Sequence, residues 1–163
     1  MALVVKISLI LLSIIALSEA AECPPLWSFF MGSCYRFFGP QKTWQEAEDH
    51  CQQFFTSNGQ GHLASIHQSS TNKFLIKLWK TSVISHQEED AMWIGLTNQD
   101  VEGQFTWTDG TAKDFQAWYP DQPNNYGNGQ GCVEFWYNND IIGWNDRQCS
   151  VVRPFACKMS VGY

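Results

Sequence analysis

The amino-acid sequence reads as an α+β domain, and three observations point there. Two stretches carry apolar residues at three- and four-residue spacing behind helix-start residues. Short apolar runs that suit strands lie before, between and after them. Six cysteines, an even number, all follow a short apolar leader, which suits a disulfide-braced extracellular domain.

The leader comes first. Lys6 supplies a positive charge, Ile7 to Leu17 an apolar run, and Ser18-Glu19-Ala20 a small-x-small cleavage site. The run is too short for a spanning helix, which needs about 20 residues. Residues 1–20 are therefore expected to be a secretory signal peptide, and residues 21–163 one soluble, secreted domain. Removing Lys6 and Glu19 takes one charge of each sign and leaves the net at −6. That balance argues against nucleic acid and against insertion into an anionic membrane.

After Pro24-Pro25, Leu26 to Phe30 and Cys34 to Phe38 read as strands joined by a Met31-Gly32-Ser33 turn. Thr43-Trp-Gln-Glu46 is a capping box that starts the first helix, with Trp44, Ala47, Cys51 and Phe54/Phe55 at core-facing spacing. Gly59-Gln-Gly61 ends that unit, and His62 to Ile66 is a short strand. Ser69-Ser70-Thr71 would cap a second helix, with Phe74, Leu75, Leu78 and Trp79 on one side and Lys73, Lys77 and Lys80 on the wet face. Thr81 to Asp90 is polar and reads as a loop. Met92 to Leu96 suits a buried strand, and Gln104 to Trp107 a half-buried one before the Thr108-Asp109-Gly110 turn. Cys132 to Tyr137, Ile141 to Trp144 and Pro154 to Cys157 close the chain as strands.

Between them, residues 111–131 show little regular signal, and a loop of that length inside a compact domain is most often functional. From Trp118 to Cys149 the chain is rich in amides, glycine and tryptophan. Gln122, Asn124, Asn125, Gln130, Asn145 and Asp146 offer side-chain oxygens there. Hard oxygen donors are what calcium takes, about six to eight of them. Pro123 fixes the backbone between two of the donors, with the cis form of the bond accessible.

Other chemistries find no footing. No C-x2-C pair exists, and His50, His62, His67 and His86 are too scattered for a zinc site. There is no G-x-S-x-G turn, H-E-x-x-H helix or phosphate loop, so no enzyme is expected. Cysteine count alone leaves the disulfide connectivity open.

In order along the chain stand Cys34-Tyr-Arg36, Thr43-Trp-x-x-Ala47 with Cys51, His62-Leu-Ala-Ser-Ile66, Trp93-Ile-Gly-Leu96, Trp107-Thr-Asp-Gly110, Gln122-Pro-Asn124, Trp144-Asn-Asp146 and Phe155-Ala-Cys157. Taken together they resemble the C-type lectin domain in its long form, over essentially all of residues 21–163. The resemblance implies two helices, two small antiparallel sheets and a long ligand-binding loop. It also implies the disulfides Cys23–Cys34, Cys51–Cys157 and Cys132–Cys149, which leave no cysteine for a covalent dimer.

The resemblance further implies a Ca²⁺ site on Gln122, Asn124, Gln130, Asn145 and Asp146, where two vicinal sugar hydroxyls complete the ion's shell. This chain departs from the family pattern. Gln122 is galactose-type and Asn124 mannose-type, and Gln130 stands where glutamate is usual. Asp146 is the one carboxylate of the set, so calcium binding is expected to be weak. A second ion would use Asn98, Glu102 and Asn125 with the Gln130 carbonyl, but Gly131 replaces an acid there and the site is expected to be poorly filled. Tyr126 falls where galactose binders stack a ring on the sugar, which favours galactose or N-acetylgalactosamine over mannose.

The function expected is capture of mono- or oligosaccharides and cell-surface glycans, in the manner of innate recognition of microbial glycans, by a chain that can form non-covalent homo-oligomers. The competing expectation is a calcium-independent relative that binds protein, other glycans or ice. Trp44, Trp79, Trp93, Trp107 and Trp144 are expected in the core, Trp118 and Trp136 as support near the loop, and Glu134 as a solvated carboxylate on an outward strand position.

Overall fold

The computed structural model describes residues 23–83, 87 and 90–161; the expected signal peptide and His86 lie outside them. The chain opens with a hairpin of β1 (Ser28–Phe30) and β2 (Ser33–Lys42), closed by Met31 and Gly32, both at positive φ. Ser33 pairs with Phe30, so the turn is one residue shorter than the sequence suggests. Two-residue hairpin loops need such left-handed backbone, and glycine adopts it without cost.

Helix α1 (Trp44–Cys51) starts on the expected capping box. The Thr43 amide donates to Glu46 Oε2 at 2.9 Å, and the Glu46 amide donates back to Thr43 Oγ1 at 3.4 Å. Trp44, Ala47 and Cys51 are buried as the spacing demands. Phe54 packs against Trp27 and Phe38, but Phe55 is 79% exposed and does not belong to the core. The reason is that α1 has ended by then. Phe55 lies in a small hairpin, β3 (Phe55–Thr56) with β4 (Gly59–Gln60), where side chains alternate instead of following a helical face.

Strand β5 (His62–Leu63) leads to α2 (Ser69–Ser82). The α2 N-cap is Gln68 with no side-chain cap bond, not the expected Ser-Ser-Thr run. Ser69 and Ser70 already lie in the helix, and Thr71 is buried. Leu75 and Trp79 are buried, Phe74 and Leu78 half-buried, and Lys73, Lys77 and Lys80 exposed, as the pattern indicates.

Strands β6 (Ala91–Thr97), β7 (Thr106–Trp107), β8 (Cys132–Asn138), β9 (Ile141–Arg147) and β10 (Arg153–Ser160) follow. Among the described residues the sheet order is β1-β2-β10-β6-β8-β9, with β5 on β10 and β7 on β6. Phe155 of β10 runs parallel to Trp93 of β6, so the main sheet is mixed, and the antiparallel β3–β4 pair is the second, smaller sheet. Strand β6 is buried along its whole length because the sheet is covered there on both faces. At Gly95 an added Cβ would sit 2.4 Å from the Leu63 carbonyl oxygen, so this crossing of β5 over β6 admits only glycine.

Two apolar clusters fill the interior. One holds Tyr35, Leu75, Trp79, Phe135 and Trp144; the other holds Trp27, Trp44, Trp93, Phe155 and Met159. The disulfides are Cys23–Cys34, Cys51–Cys157 and Cys132–Cys149, as the resemblance implies. The second closes a separation of 106 residues and ties α1 to β10.

Candidate functional site

The β8–β9 hairpin builds the floor of the site. Its two-residue loop, Asn139 and Asp140, has positive φ at both positions, which fixes a register placing Glu134 opposite Asn145 and Val133 opposite Asp146. The chain entering the long loop then adds itself to the edge of β9. The Trp144 amide donates to Ala117 O and the Tyr119 amide to Trp144 O, both at 2.8 Å. Gly143 makes that approach possible, since a Cβ there would lie 2.6 Å from the Tyr119 amide nitrogen and Cα. The Trp144 ring meets Trp107, Phe115 and Trp118 edge-on beneath the loop. Trp118 is thus packing support, and the Trp136 and Tyr119 rings meet at a tilt of 60° with centroids 4.8 Å apart.

Above this floor the loop is ordered by side-chain oxygens. The Gln122–Pro123 bond is cis. The Asp146 carboxylate accepts from the Asn124 amide at 3.0 Å and from the Asn125 amide at 2.7 Å. The next amide, Tyr126, donates to both Asn124 Oδ1 at 2.9 Å and Gln130 Oε1 at 2.7 Å. Asn125 Oδ1 accepts from the Gln130 amide at 3.0 Å, and its Nδ2 donates to Glu102 Oε1 at 3.0 Å. Oxygens of Asn124, Gln130 and Asp146 therefore gather on three consecutive backbone N–H groups. The Gln122 Oε1 atom, two residues before Asn124 in the loop, is buried and accepts no hydrogen bond. A buried acceptor without a donor costs about 1–3 kcal/mol, and a hard cation is one partner that would remove that cost. Gln122, Asn124, Gln130, Asn145 and Asp146 thus fit calcium in donor type, with Asp146 the one carboxylate among them.

Asn145 is held from below. Its Nδ2 donates to Glu134 Oε1 at 2.9 Å, and Glu134 Oε2 accepts from Arg153 Nε at 2.9 Å. Glu134 is 1% exposed, which corrects its reading as a solvated carboxylate. Strand β8 is covered on both faces at this point, so alternation does not send the side chain to water. Burial pushes the Glu134 carboxyl above the usual range, against the lowering pull of Arg153 and of the Asn145 hydrogen bond. Counting the β8–β9 register from its turn is the sequence signal that would have paired Glu134 with Asn145.

The second group comes together as well. Asn98, Glu102, Asn125 and Gln130 line an open recess of ≈ 490 Å³. Gly131 closes one side, where a Cβ would meet Asn98 Oδ1 at 2.9 Å. Tyr126 stands out from the loop, 78% exposed, with its ring free to meet a ligand.

Among the described residues no helix is long and apolar enough to cross a membrane. The Lectin C-type domain family profile matches residues 40–159. An alpha-N-acetylgalactosamine-specific lectin of Patiria pectinifera is 45% identical over 144 residues, covering 85% of this chain and 83% of the relative. The crystal structure of the C-type lectin CEL-I from Cucumaria echinata superposes with a TM-score of 0.77 at 30% identity, covering 84% of this chain and 96% of that one. A calcium-independent type II antifreeze protein superposes with a TM-score of 0.69 at 27% identity, over 89% and 99% of the two chains. With this fold, these three disulfides and these likenesses, the chain belongs to the C-type lectin family, a family of carbohydrate-binding proteins and not of enzymes.

Proposed function

We propose that the chain is a secreted lectin that captures terminal galactose or N-acetylgalactosamine with the help of a weakly held calcium ion. The observation that carries this reading is the buried, donorless Gln122 Oε1 in the same loop whose Asn124, Gln130 and Asp146 oxygens gather on the amides of residues 124–126. Gln122, Asn124, Gln130, Asn145 and Asp146 would hold the ion, which, when bound, offers vicinal sugar hydroxyls two coordination positions. The chain's own residues do the discriminating. Amide groups of Gln122, Asn124 and Asn145 donate to the hydroxyls, the Asp146 carboxylate accepts from them, and the exposed Tyr126 ring covers the C–H face that galactose presents. The name of the Patiria pectinifera relative supports the N-acetylgalactosamine preference.

With one formal carboxylate, affinity for the ion falls towards the weak, roughly millimolar end of extracellular modules. Residues 1–20 serve as the signal peptide in this reading. All six cysteines lie in intrachain disulfides, so copies that gain avidity together do so without covalent links. Recognition of glycans on microbial surfaces is the role such a secreted site would suit.

Retention on immobilised N-acetylgalactosamine tests the proposal. Retention in millimolar calcium, release by a chelator, and weaker retention of Tyr126→Ala with calcium binding intact are the expected results. One observation favours a second reading: the oxygens of Asn124, Gln130 and Asp146 are already satisfied by backbone N–H groups. A loop ordered in that way could bind its ligand without an ion, as the likeness to a calcium-independent antifreeze protein suggests. Retention unchanged by the chelator would decide for that reading.

A further inference from the structure

We infer that Glu134 is the positioning residue of the site: it fixes which way the Asn145 carboxamide points, and thereby presents the Asn145 oxygen, not its nitrogen, to the ion. This rests on the calcium reading above and adds a residue to it. A carboxamide can turn over and exchange oxygen for nitrogen with little steric cost, so a ligand asparagine needs a partner that tells the two ends apart. Glu134 does so because a carboxylate only accepts. Its Oε1 takes the Asn145 Nδ2 hydrogen at 2.9 Å, which turns Oδ1 to the side away from Glu134.

The carboxylate is kept as an acceptor by its own surroundings. Its second oxygen is held by Arg153 Nε at 2.9 Å, and the Arg153–Glu134 ion pair bridges β10 to β8. Arg153, Glu134 and Asn145 thus form a chain of contacts of fixed polarity across β10, β8 and β9. Partners that orient a metal ligand from behind generally change metal affinity by about 10–100-fold when removed.

Polarity makes the idea testable by exchange. In Glu134→Gln the new amide offers its oxygen to the charged Arg153, so its N–H₂ faces Asn145 and the Asn145 carboxamide turns over. Calcium affinity should fall by about 10–100-fold. In Asn145→Asp two carboxylates face each other, and affinity should fall even though the ligand set has gained a negative charge. Combining Glu134→Gln with Asn145→Asp restores a donor facing an acceptor at both contacts, and affinity should return to at least the wild-type value. Each variant is titrated with calcium by calorimetry after its thermal unfolding has been checked.

A second readout needs no ion. In the metal-free wild type, the Asn145 side-chain N–H₂ should show slowed hydrogen exchange in ¹⁵N spectra, and Glu134→Gln should abolish it. Asn145→Asp alone binding calcium more tightly than wild type, or an Asn145 amide that exchanges like an exposed one, would overturn the assignment. Should the wild type bind no calcium while its Asn145 amide is protected, the calcium reading fails and the orienting role of Glu134 stands.

Discussion

The body of the domain and its long loop are ordered by opposite means. In the body, Trp44, Trp93 and Phe155 are packed out of water, and Cys51–Cys157 ties the helix to the sheet. In the stretch from Gln122 to Gln130, order comes from side-chain oxygens that accept backbone N–H groups, while Tyr126 stands in solvent. Apolar burial is insensitive to small changes in direction, whereas each hydrogen bond fixes an angle. Damage to the body should therefore appear as lost stability, and damage to the loop as lost ligand.

The largest effect expected on that contrast is in the body. Cys51→Ala with Cys157→Ala opens a closed loop of 106 residues. It should lower unfolding free energy by about 4–5 kcal/mol in a denaturant titration. Next comes the seam between the two regions. Gly143→Ala forces Tyr119 away from β9, where a Cβ would lie 2.6 Å from its backbone. It should cost about 1–3 kcal/mol and weaken sugar retention as well, the one substitution to do both. A variant that loses stability but keeps full retention would separate the loop from the strand it leans on.

Gln122→Glu sharpens the contrast from the loop side. A carboxylate in place of the donorless Gln122 Oε1 should raise calcium affinity roughly tenfold, since charge count sets affinity in such sites. Without the ion that carboxylate is a buried charge with no donor, so the unfolding midpoint of the metal-free protein should fall and calcium should restore it. The smallest effect belongs to His62, whose imidazole bonds Glu48 at 2.7 Å below α1. The Glu48 hydrogen bond raises the His62 pKa above 6.5, with burial opposing it. Because the folded value is the higher one, this stabilisation is complete below the unfolded pKa of about 6.5 and is lost as pH rises through the folded value. Glu48→Gln should flatten that alkaline slope in thermal unfolding without changing sugar binding.

What the sequence made legible follows the same division. The capping box at Thr43, the core tryptophans and the lysine face of α2 could be read because helix and strand periods write them directly. The oxygen donors at 122, 124, 130, 145 and 146 were visible as residue types in an irregular stretch, and the structure gathers most of them on the amides of residues 124–126. Glu134 was misread because alternation assumes one wet face, and β8 has none at that position. Phe55 was misread because the helical period was carried past the end of α1 into a hairpin. Ser69 to Thr71 looked like caps, yet they already lie in helix α2, whose N-cap is Gln68 with no side-chain cap bond.

A calorimetric titration of calcium, alone and with N-acetylgalactosamine, bears most directly on whether the amide-rich ring of the loop holds an ion that sugar then completes. Weak saturable binding of calcium, roughly millimolar, with sugar heat appearing only when calcium is present, is the predicted result. Equal sugar heat in the presence of a chelator would contradict it.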